Sequence, residues 1–586
     1  MNLLLVNLTR FGDLLQTQPV VHGLRAQGHR VGLVCLENFA GAAALLEGVD
    51  HVAALPGSAL LAGVQSGGDW RACTAGLMTW ADRLRGAYAH DAVLNLTATL
   101  GGRLLGRLLA ANGSDAGDGE LRGFGLDPFG FGVNADPWSA FLQASTRQRG
   151  CSPFNLVDLF RMAAGVGGVD PVYALRAPEP DALAEAGTRL AQAAPPEHAG
   201  YVAMQLGASE ERRRWPVARF AALAARLWRE LRLVPVLLGA GGERKLGERL
   251  RAALAEDAGT SGPVGPVGPV GAAGIGPVPC IDLIGATSLP QLAATLRHVR
   301  LLVTNDTGTM HLAAGLDVPV LAIFLATAQP WDTGPYRQDC CCLEPALDCH
   351  PCPFGAPCPH AERCRQVISA DTAFHLAHGQ LTTGRWPQAG PAPDAPREAR
   401  VWRTLREADV SLVAATGPAS TPAMPGRGFM DLASLSGHEG EDRTRWIRLQ
   451  RHFYRQFLDR APARSGGQPD QAVRPIRPPQ SPCVLSEALR ARAVDELYQA
   501  DALLHLMGEQ GGLLKVRPSD MAKSRFLGTV SRVQALWDNS ALFNVLGHLW
   551  LCESQGAGGT LDSVLALAAA YRGLARAWLE HLSPSA

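Results

Sequence analysis

Three short stretches of this 586-residue chain put charged or hydroxyl residues where an apolar run stops. In LTRFGDLLQTQP (8–19), Gly12 permits a sharp turn and Asp13 falls at the start of an amphipathic segment. A carboxylate there caps a helix and complements its positive end; at the mouth of a cleft it would accept a proton from an incoming hydroxyl. In QLGASEERRRWP (205–216), an apolar run ends at Gly207 and Ala208-Ser209 opens a loop. Arg212, Arg213 and Arg214 then precede Trp215-Pro216, where proline suits the first position of a helix. Guanidinium forks match phosphate oxygens, so this loop suits a diphosphate, although a solvated charge run before a helix has the same composition. In VTNDTGTMHLAAGLDVPVLAIF (303–324), Asn305-Asp306-Thr307-Gly308 ends one apolar run and opens a helix with His311 about one turn along. Free N–H groups, the Thr307 hydroxyl and the close approach allowed by Gly308 make an anion site without a metal. A capped turn and a structural histidine would account for the same residues taken singly.

Such stretches work only if strands and helices bring them together. LLLV (3–6), VGLVCL (31–36) and AVLNL (92–96) alternate with helix-like segments, and a second cycle begins at YVAMQLGAS (201–209) and continues through VPVLLGAGG (234–242), IDLIG and LLVTND. This alternation predicts βαβ units with parallel sheets, whose ligands sit beyond the carboxyl ends of the strands. The fold class expected is α/β, with two Rossmann-like domains at 1–180 and 199–378, separated by the polar, Pro-rich stretch 177–198. GPVGPVGPVG (262–271) is too short for collagen and reads as an insertion. Residues 380–440, rich in Pro, Ala, Gly and Ser, read as a linker, partly disordered. Residues 441–586 carry helical periodicity almost throughout and read as an all-α extension.

The chain is too long for one core, and Lys plus Arg equals Asp plus Glu at 54 each, so net charge points to no nucleic-acid partner. No apolar run reaches the roughly 20 residues that span a bilayer. The start MNLLLVNLTRFGD lacks a cationic leader and reads as a first strand, which makes thiols or metal ligands of the cysteines rather than disulfides. In DCCCLEPALDCHPCPFGAPCPHAERC (339–364), Cys349, Cys352, Cys358 and Cys364 have spacing that would suit a four-thiolate zinc or iron site; packed, reduced thiols are the other reading.

Gly-Asp after the first strand, a loop followed by a basic residue and Trp-Pro, and DTGxxHLAA before an apolar strand occur here in order. Together they resemble glycosyltransferase family 9, the ADP-heptose–lipopolysaccharide heptosyltransferase family. The likeness runs from residue 2 to about 375 and includes DLIGATSLPQLAATL (282–296). The resemblance implies the GT-B fold, two Rossmann-like domains facing a cleft with the acceptor side N-terminal, and leaves the helical extension outside. It implies Asp13 as general base, with Ser209 and Arg213 on the diphosphate and Thr307 and Gly308 holding the phosphates. Asp306 would lie near the sugar, His311 would support the loop, Thr287 would line the base pocket and Glu243 would contact the ribose. Leu325 stands where the family usually has Gly, and Ala208 where it often has a hydroxyl residue. The reaction implied is an inverting transfer from a nucleotide sugar, ADP-heptose, to a lipopolysaccharide core or related envelope glycan or glycolipid. No cofactor is required for catalysis, and the setting is the cytoplasm or the cytoplasmic face of the inner membrane, with peripheral contact. The rivals are a transferase using another nucleotide sugar or a protein acceptor, and an idle scaffold of the same fold.

Overall fold

In the computed structural model, the described residues are 1–65, 69–111, 120–147, 152–259, 277–388, 399–407, 428–460, 475–479, 483–556 and 560–583. The triplet stretch 262–271 lies outside them. Leu3, Leu4, Leu5 and Val6 of β1 (Asn2–Val6) have no exposed surface. A central parallel strand is covered on both faces, so apolar residues follow one another instead of alternating. β1 is flanked by β2 (Arg30–Leu36) and β4 (Ala92–Asn95), both parallel to it. With β3 (His51–Leu55), β5 (Glu120–Leu126) and β6 (Gly132–Asn134), the first sheet has the order β3-β2-β1-β4-β5-β6. Among its described strands only β6 is antiparallel, forming a hairpin with β5.

The second sheet repeats the plan. Its strands are β7 (Gly200–Gln205), β8 (Leu233–Leu238), β9 (Ile281–Asp282), β10 (Val299–Asn305), β11 (Val320–Ile323), β12 (Cys341–Pro345), β13 (Ala399–Arg406) and β14 (Met430–Ser434). They are ordered β14-β13-β12-β11-β10-β7-β8-β9. Strand order reverses between β1 and β4 in one sheet and between β7 and β10 in the other, and a crevice opens beyond the carboxyl ends at each reversal. The molecule is thus α/β with two Rossmann-like lobes, as in the GT-B arrangement, followed by a helical C-terminal part.

Two stretches differ from the sequence expectation. The separator 177–198 contains a helix, Pro180–Ala193, with proline in its first turn. The stretch expected as a linker carries β13 and β14, which extend the second sheet antiparallel to β12; residues 389–398 and 408–427 within it are not among those described. The strand ARVWRTLR is short and flanked by Pro, Gly and Ala, so its periodicity is lost in its surroundings. In the fold Trp402 is fully buried, its ring 5.5 Å from that of Trp331.

The lobes are fastened by polar contacts as well as packing. Asn155 Nδ2 donates to Gly334 O at 3.0 Å. Asp158 has no exposed surface and accepts from Arg161 NH1 (3.0 Å), Tyr336 OH (2.7 Å) and Met430 N (2.9 Å). Helix Asp442–Leu458 then crosses from one lobe to the other. At its start Arg443 donates to Glu344 in β12, at 2.5 and 3.1 Å, and to Gln329. Farther along, Arg451 donates to Pro153 O at 3.0 Å and Met430 O at 2.8 Å. Glu344 also accepts from Trp402 Nε1 at 3.0 Å and lies 3.2 Å from His350 Nε2. Burial alone would raise the Glu344 pKa, but Arg443 and His350 outweigh it and hold the group far below the carboxylate range. Helices Glu487–Val516, Asp520–Asn539 and Leu561–Leu582 form a bundle beyond, where Trp578 stacks on Phe453 at 4.3 Å. Helix Asn544–Gly556 packs on Pro137–Arg147 and β6. Among the described residues no helix is long and apolar enough to cross a membrane.

Candidate active site

Beyond the carboxyl ends of β7 and β10, the arginine loop and the Asp306 turn meet. Arg213 is 8% exposed and Asp306 9%, and their side chains form a buried ion pair. Arg213 NH1 also donates to Ser209 Oγ at 2.9 Å, while Arg213 Nε is buried with no hydrogen-bond partner among the described residues. The three arginines do not act alike, contrary to a loop-wide neutralisation of phosphate. Arg212 pairs with Glu210 at 2.7 Å and donates to Ala356 O at 2.9 Å. Arg214 donates twice to Ala208 O, at 3.1 and 3.0 Å, bending the loop back on itself. Of the three, only Arg213 is buried, while Arg212 and Arg214 stay partly exposed.

Asn305 organises this corner, a role the sequence did not announce. Fully buried, it accepts from Trp215 N at 2.9 Å and donates to Leu206 O at 2.9 Å and Gly207 O at 3.1 Å. One carboxamide thereby joins the ends of β7 and β10 to the segment after Arg213. Gln205 does the same on the other side, donating to Glu243 at 3.0 Å and accepting from Thr309 Oγ1 at 3.3 Å. The available signal was chemical: a carboxamide at the end of a buried strand must find partners for both of its ends.

Glu243 lies against Gly207, where any Cβ would take the place of its carboxylate, and accepts from Ala240 N at 2.9 Å. Its carboxylate thus caps the turn before helix Arg244–Gly259, and through Gln205 it joins the Asn305 corner. Thr287 is half-buried in the loop before the helix that Ser288 caps; a Cβ at Gly285 in that loop would stand 2.6 Å from Gly241 Cα, which sets the loop against the turn bearing Glu243.

Thr307 is the N-cap residue of helix Gly308–Gly315; its hydroxyl lies 3.2 Å from the Thr304 hydroxyl and does not cap the helix. Across from that helix end stands helix Phe11–Leu15 of the first lobe, with Asp13 half-buried in its first turn. A Cβ at Gly12 would stand 3.0 Å from His311 Cδ2 and 3.1 Å from Gly308 Cα, and one at Gly308 would run into the Phe11 ring. Two motif glycines far apart in sequence thus allow the lobes their close approach, and they set the Asp13 helix beside the Gly308 helix. His311 is buried in that contact and its carbonyl accepts from Tyr173 OH at 2.9 Å, so it packs the lobe interface. The corner combines a fixed cation, hydroxyls and a helix N-terminus on one side with a carboxylate on the other. That set can stabilise an anionic leaving group and accept a proton.

Residues 159–360 match the family described as glycosyltransferase family 9 (heptosyltransferase). Over this segment the chain is similar to that family. Over 182 residues the chain is 31% identical to lipopolysaccharide heptosyltransferase 1 of Pseudomonas aeruginosa, covering 30% of this chain and 44% of that protein. Over 112 residues it is 31% identical to lipopolysaccharide heptosyltransferase 2 of Salmonella typhimurium, covering 19% of this chain and 27% of that one. The chain therefore spans less than half the length of these curated relatives. The structure of E. coli ADP-heptose lps heptosyltransferase II aligns with a TM-score of 0.44 and 16% identity, over 66% of this chain and 99% of that one.

The family 9 segment extends into the cysteine-rich stretch. Cys352 is raised in pKa by burial first, then by Cys364, Cys349 and Cys358, so the four thiols share one field. Among the described residues, however, no three His, Cys, Asp or Glu side chains stand at metal-holding spacing. The sulfurs are engaged locally instead: Cys352 Sγ lies 3.7 Å from Cys349 O, and Cys358 Sγ accepts from Glu362 N at 3.4 Å. The stretch nevertheless braces the site. Cys352 N donates to Ala326 O at 2.8 Å, and Arg365 Nε donates to Arg214 O at 3.1 Å. Ala326, just past Leu325, takes the left-handed backbone (φ 54°) that a glycine would adopt more easily.

Proposed function

We propose that this protein is an inverting glycosyltransferase that moves a sugar, heptose from ADP-heptose, to a lipopolysaccharide core or related envelope acceptor. The observation that carries this reading is the buried Arg213–Asp306 pair, with Ser209 on Arg213, beside a helix N-terminus that abuts the helix bearing Asp13. The family match and the names of the relatives support the heptosyl donor.

In the reaction, an acceptor hydroxyl oxygen attacks the anomeric carbon from the face opposite the diphosphate. The carbon–oxygen bond to the diphosphate breaks, its electron pair stays on the leaving oxygen, and the hydroxyl proton passes to Asp13. Arg213, Ser209, Thr307 and the amides opening helix Gly308–Gly315 meet the growing negative charge. Asp306 holds Arg213 and borders the sugar, while the Thr287 and Glu243 loops flank the nucleoside. Cys349, Cys352, Cys358 and Cys364 would hold a structural zinc or iron, a role outside the transfer itself. Metal analysis of reduced protein tests that role, and a metal-free preparation ends it. The reaction belongs to the cytoplasmic side of the envelope, where nucleotide sugars are made.

The test is release of nucleoside diphosphate from ADP-, GDP- and UDP-sugars in the presence of deacylated lipopolysaccharide core. ADP release with ADP-heptose is expected. Release from none of the three donors would overturn the proposal.

A further inference from the structure

The C-terminal helices do more than support the lobes. Between the first lobe and helix Asn544–Gly556 lies a cavity of about 240 Å³, to which the lobe contributes Arg103, Asn134 and Gln143 and the tail contributes Cys552 and Gln555. Ala98, just past β4, and Leu126, at the end of β5, are among its lining residues, so it lies at the carboxyl edge of the sheet whose β1 leads into the Asp13 helix. Leu8 N donates to Thr97 Oγ1 at 2.9 Å, joining the β1 end to the β4 end. β5 stands two strands from β1, about 10 Å along that edge.

The chemistry of the walls selects a ligand class. Arg103 is 4% exposed, and its nitrogens donate to Ala98 O (3.0 Å), Gly125 O (2.7 Å), Val133 O (2.5 Å), Asn134 Oδ1 (3.0 Å) and Gln143 Oε1 (2.7 Å). All five guanidinium donors are used, so Arg103 is a scaffold and offers no bond to an anionic headgroup. Because Asn134 turns its oxygen to Arg103, its NH2 end points away from the guanidinium. Beside Leu100 and Cys552, the remaining walls are amides and glycine backbone at Gly130 and Gly132, groups that pair with neutral hydroxyls.

The turn that contributes Gly130 to the cavity also carries aromatic side chains. At the β5–β6 turn, Phe129 is 86% and Phe131 64% exposed. Asp127 Oδ1 accepts from both backbone amides, at 2.9 and 2.8 Å, so the turn holds its shape while presenting two phenyl rings to solvent. Large exposed apolar groups beside a polar pocket mark a binding surface. The C–H faces of pyranose rings lie against such aromatics while their hydroxyls pair with amides.

We propose that this groove, completed by the C-terminal helices, is a saccharide subsite that holds a glycan arm of the acceptor beyond the sugar that reacts. It rests on the transferase reading above and extends it to acceptor recognition. The test uses the full-length chain, deacylated core oligosaccharide as probe, and no donor. Phe129→Ser/Phe131→Ser should raise the oligosaccharide Kd roughly tenfold by removing two ring contacts. Gln555→Ala should raise it about threefold for one hydrogen bond. ADP affinity should stay at the wild-type value in both, because neither change touches the Arg213 corner. Unchanged oligosaccharide affinity in both variants, or no binding by the wild type, overturns the proposal. So does loss of binding to phosphatidylglycerol vesicles with oligosaccharide affinity intact, which would make the turn a membrane contact. Failure of the transferase reading shows separately, as absence of nucleotide release with glycan binding preserved.

Discussion

The two sheets share the order of their first six strands, yet their crevices are built from different chemistry. In the second, a buried cation is neutralised by a buried carboxylate, Arg213 by Asp306, and Asn305 ties the surrounding loops together. In the first, the buried cation is Arg103, held by carbonyls and carboxamides, and Asp13 stands half-buried on a short helix apart from it. The contrast teaches that one topology can hold charge in two ways. A crevice with a fixed ion pair is organised before an anion arrives, whereas one lined with amides and a carboxylate suits neutral hydroxyls and proton transfer.

The sharpest way to break this contrast is to separate rate from affinity. Asp13→Ala should lower turnover by about 10²–10⁴-fold, the range for a lost general base, with ADP affinity unchanged. Paired titration and turnover measurements check this, and a parallel loss of ADP affinity would move Asp13 to the donor side. Arg213→Ala should weaken ADP binding by about 1.5–3 kcal/mol through lost charge-assisted hydrogen bonds. A dissociation constant equal to wild type would take Arg213 out of the phosphate site.

Asn305→Ala tests whether organisation precedes the ligand. Leaving Trp215 N and two carbonyls without their partner should destabilise the fold by about 1–3 kcal/mol. Urea unfolding measures it, and an unchanged midpoint would make the corner self-supporting.

The smallest effect concerns acid. The Glu344 pKa lies below its unfolded value despite burial, because Arg443 and His350 favour the ionised form. Its contribution is therefore present above about pH 4.3 and lost as the pH falls below that, through the folded value. Glu344→Gln should flatten the acid limb of stability, read as melting temperature against pH. A limb as steep as wild type would place the acid sensitivity elsewhere.

Much of the site was legible because its residues obey local rules. Gly12, Gly308 and the Trp215-Pro216 helix start sit where close approach or a helix start requires small or φ-restricted residues. Their order along the chain carried the family likeness. Asn305 and Gln205 were harder to see, since what makes them matter is which carbonyls they reach across two strands. The strands within 380–440 were missed because antiparallel pairing with β12 stabilises them, and no local pattern encodes that pairing. The arginine run was over-read, because three adjacent side chains cannot all face one crevice.

By itself the sequence determined the alternation of strands and helices, the glycines at the turns and the presence of a carboxylate, a cation and a helix N-terminus. These are properties of neighbouring residues. Tertiary structure alone decided that Arg213 and not its neighbours is buried, and that Gly12 meets Gly308. It also decided that helix Asn544–Gly556 closes a polar groove on the first sheet. Each of these depends on contacts between residues tens to hundreds of positions apart, which only packing of the whole chain can set.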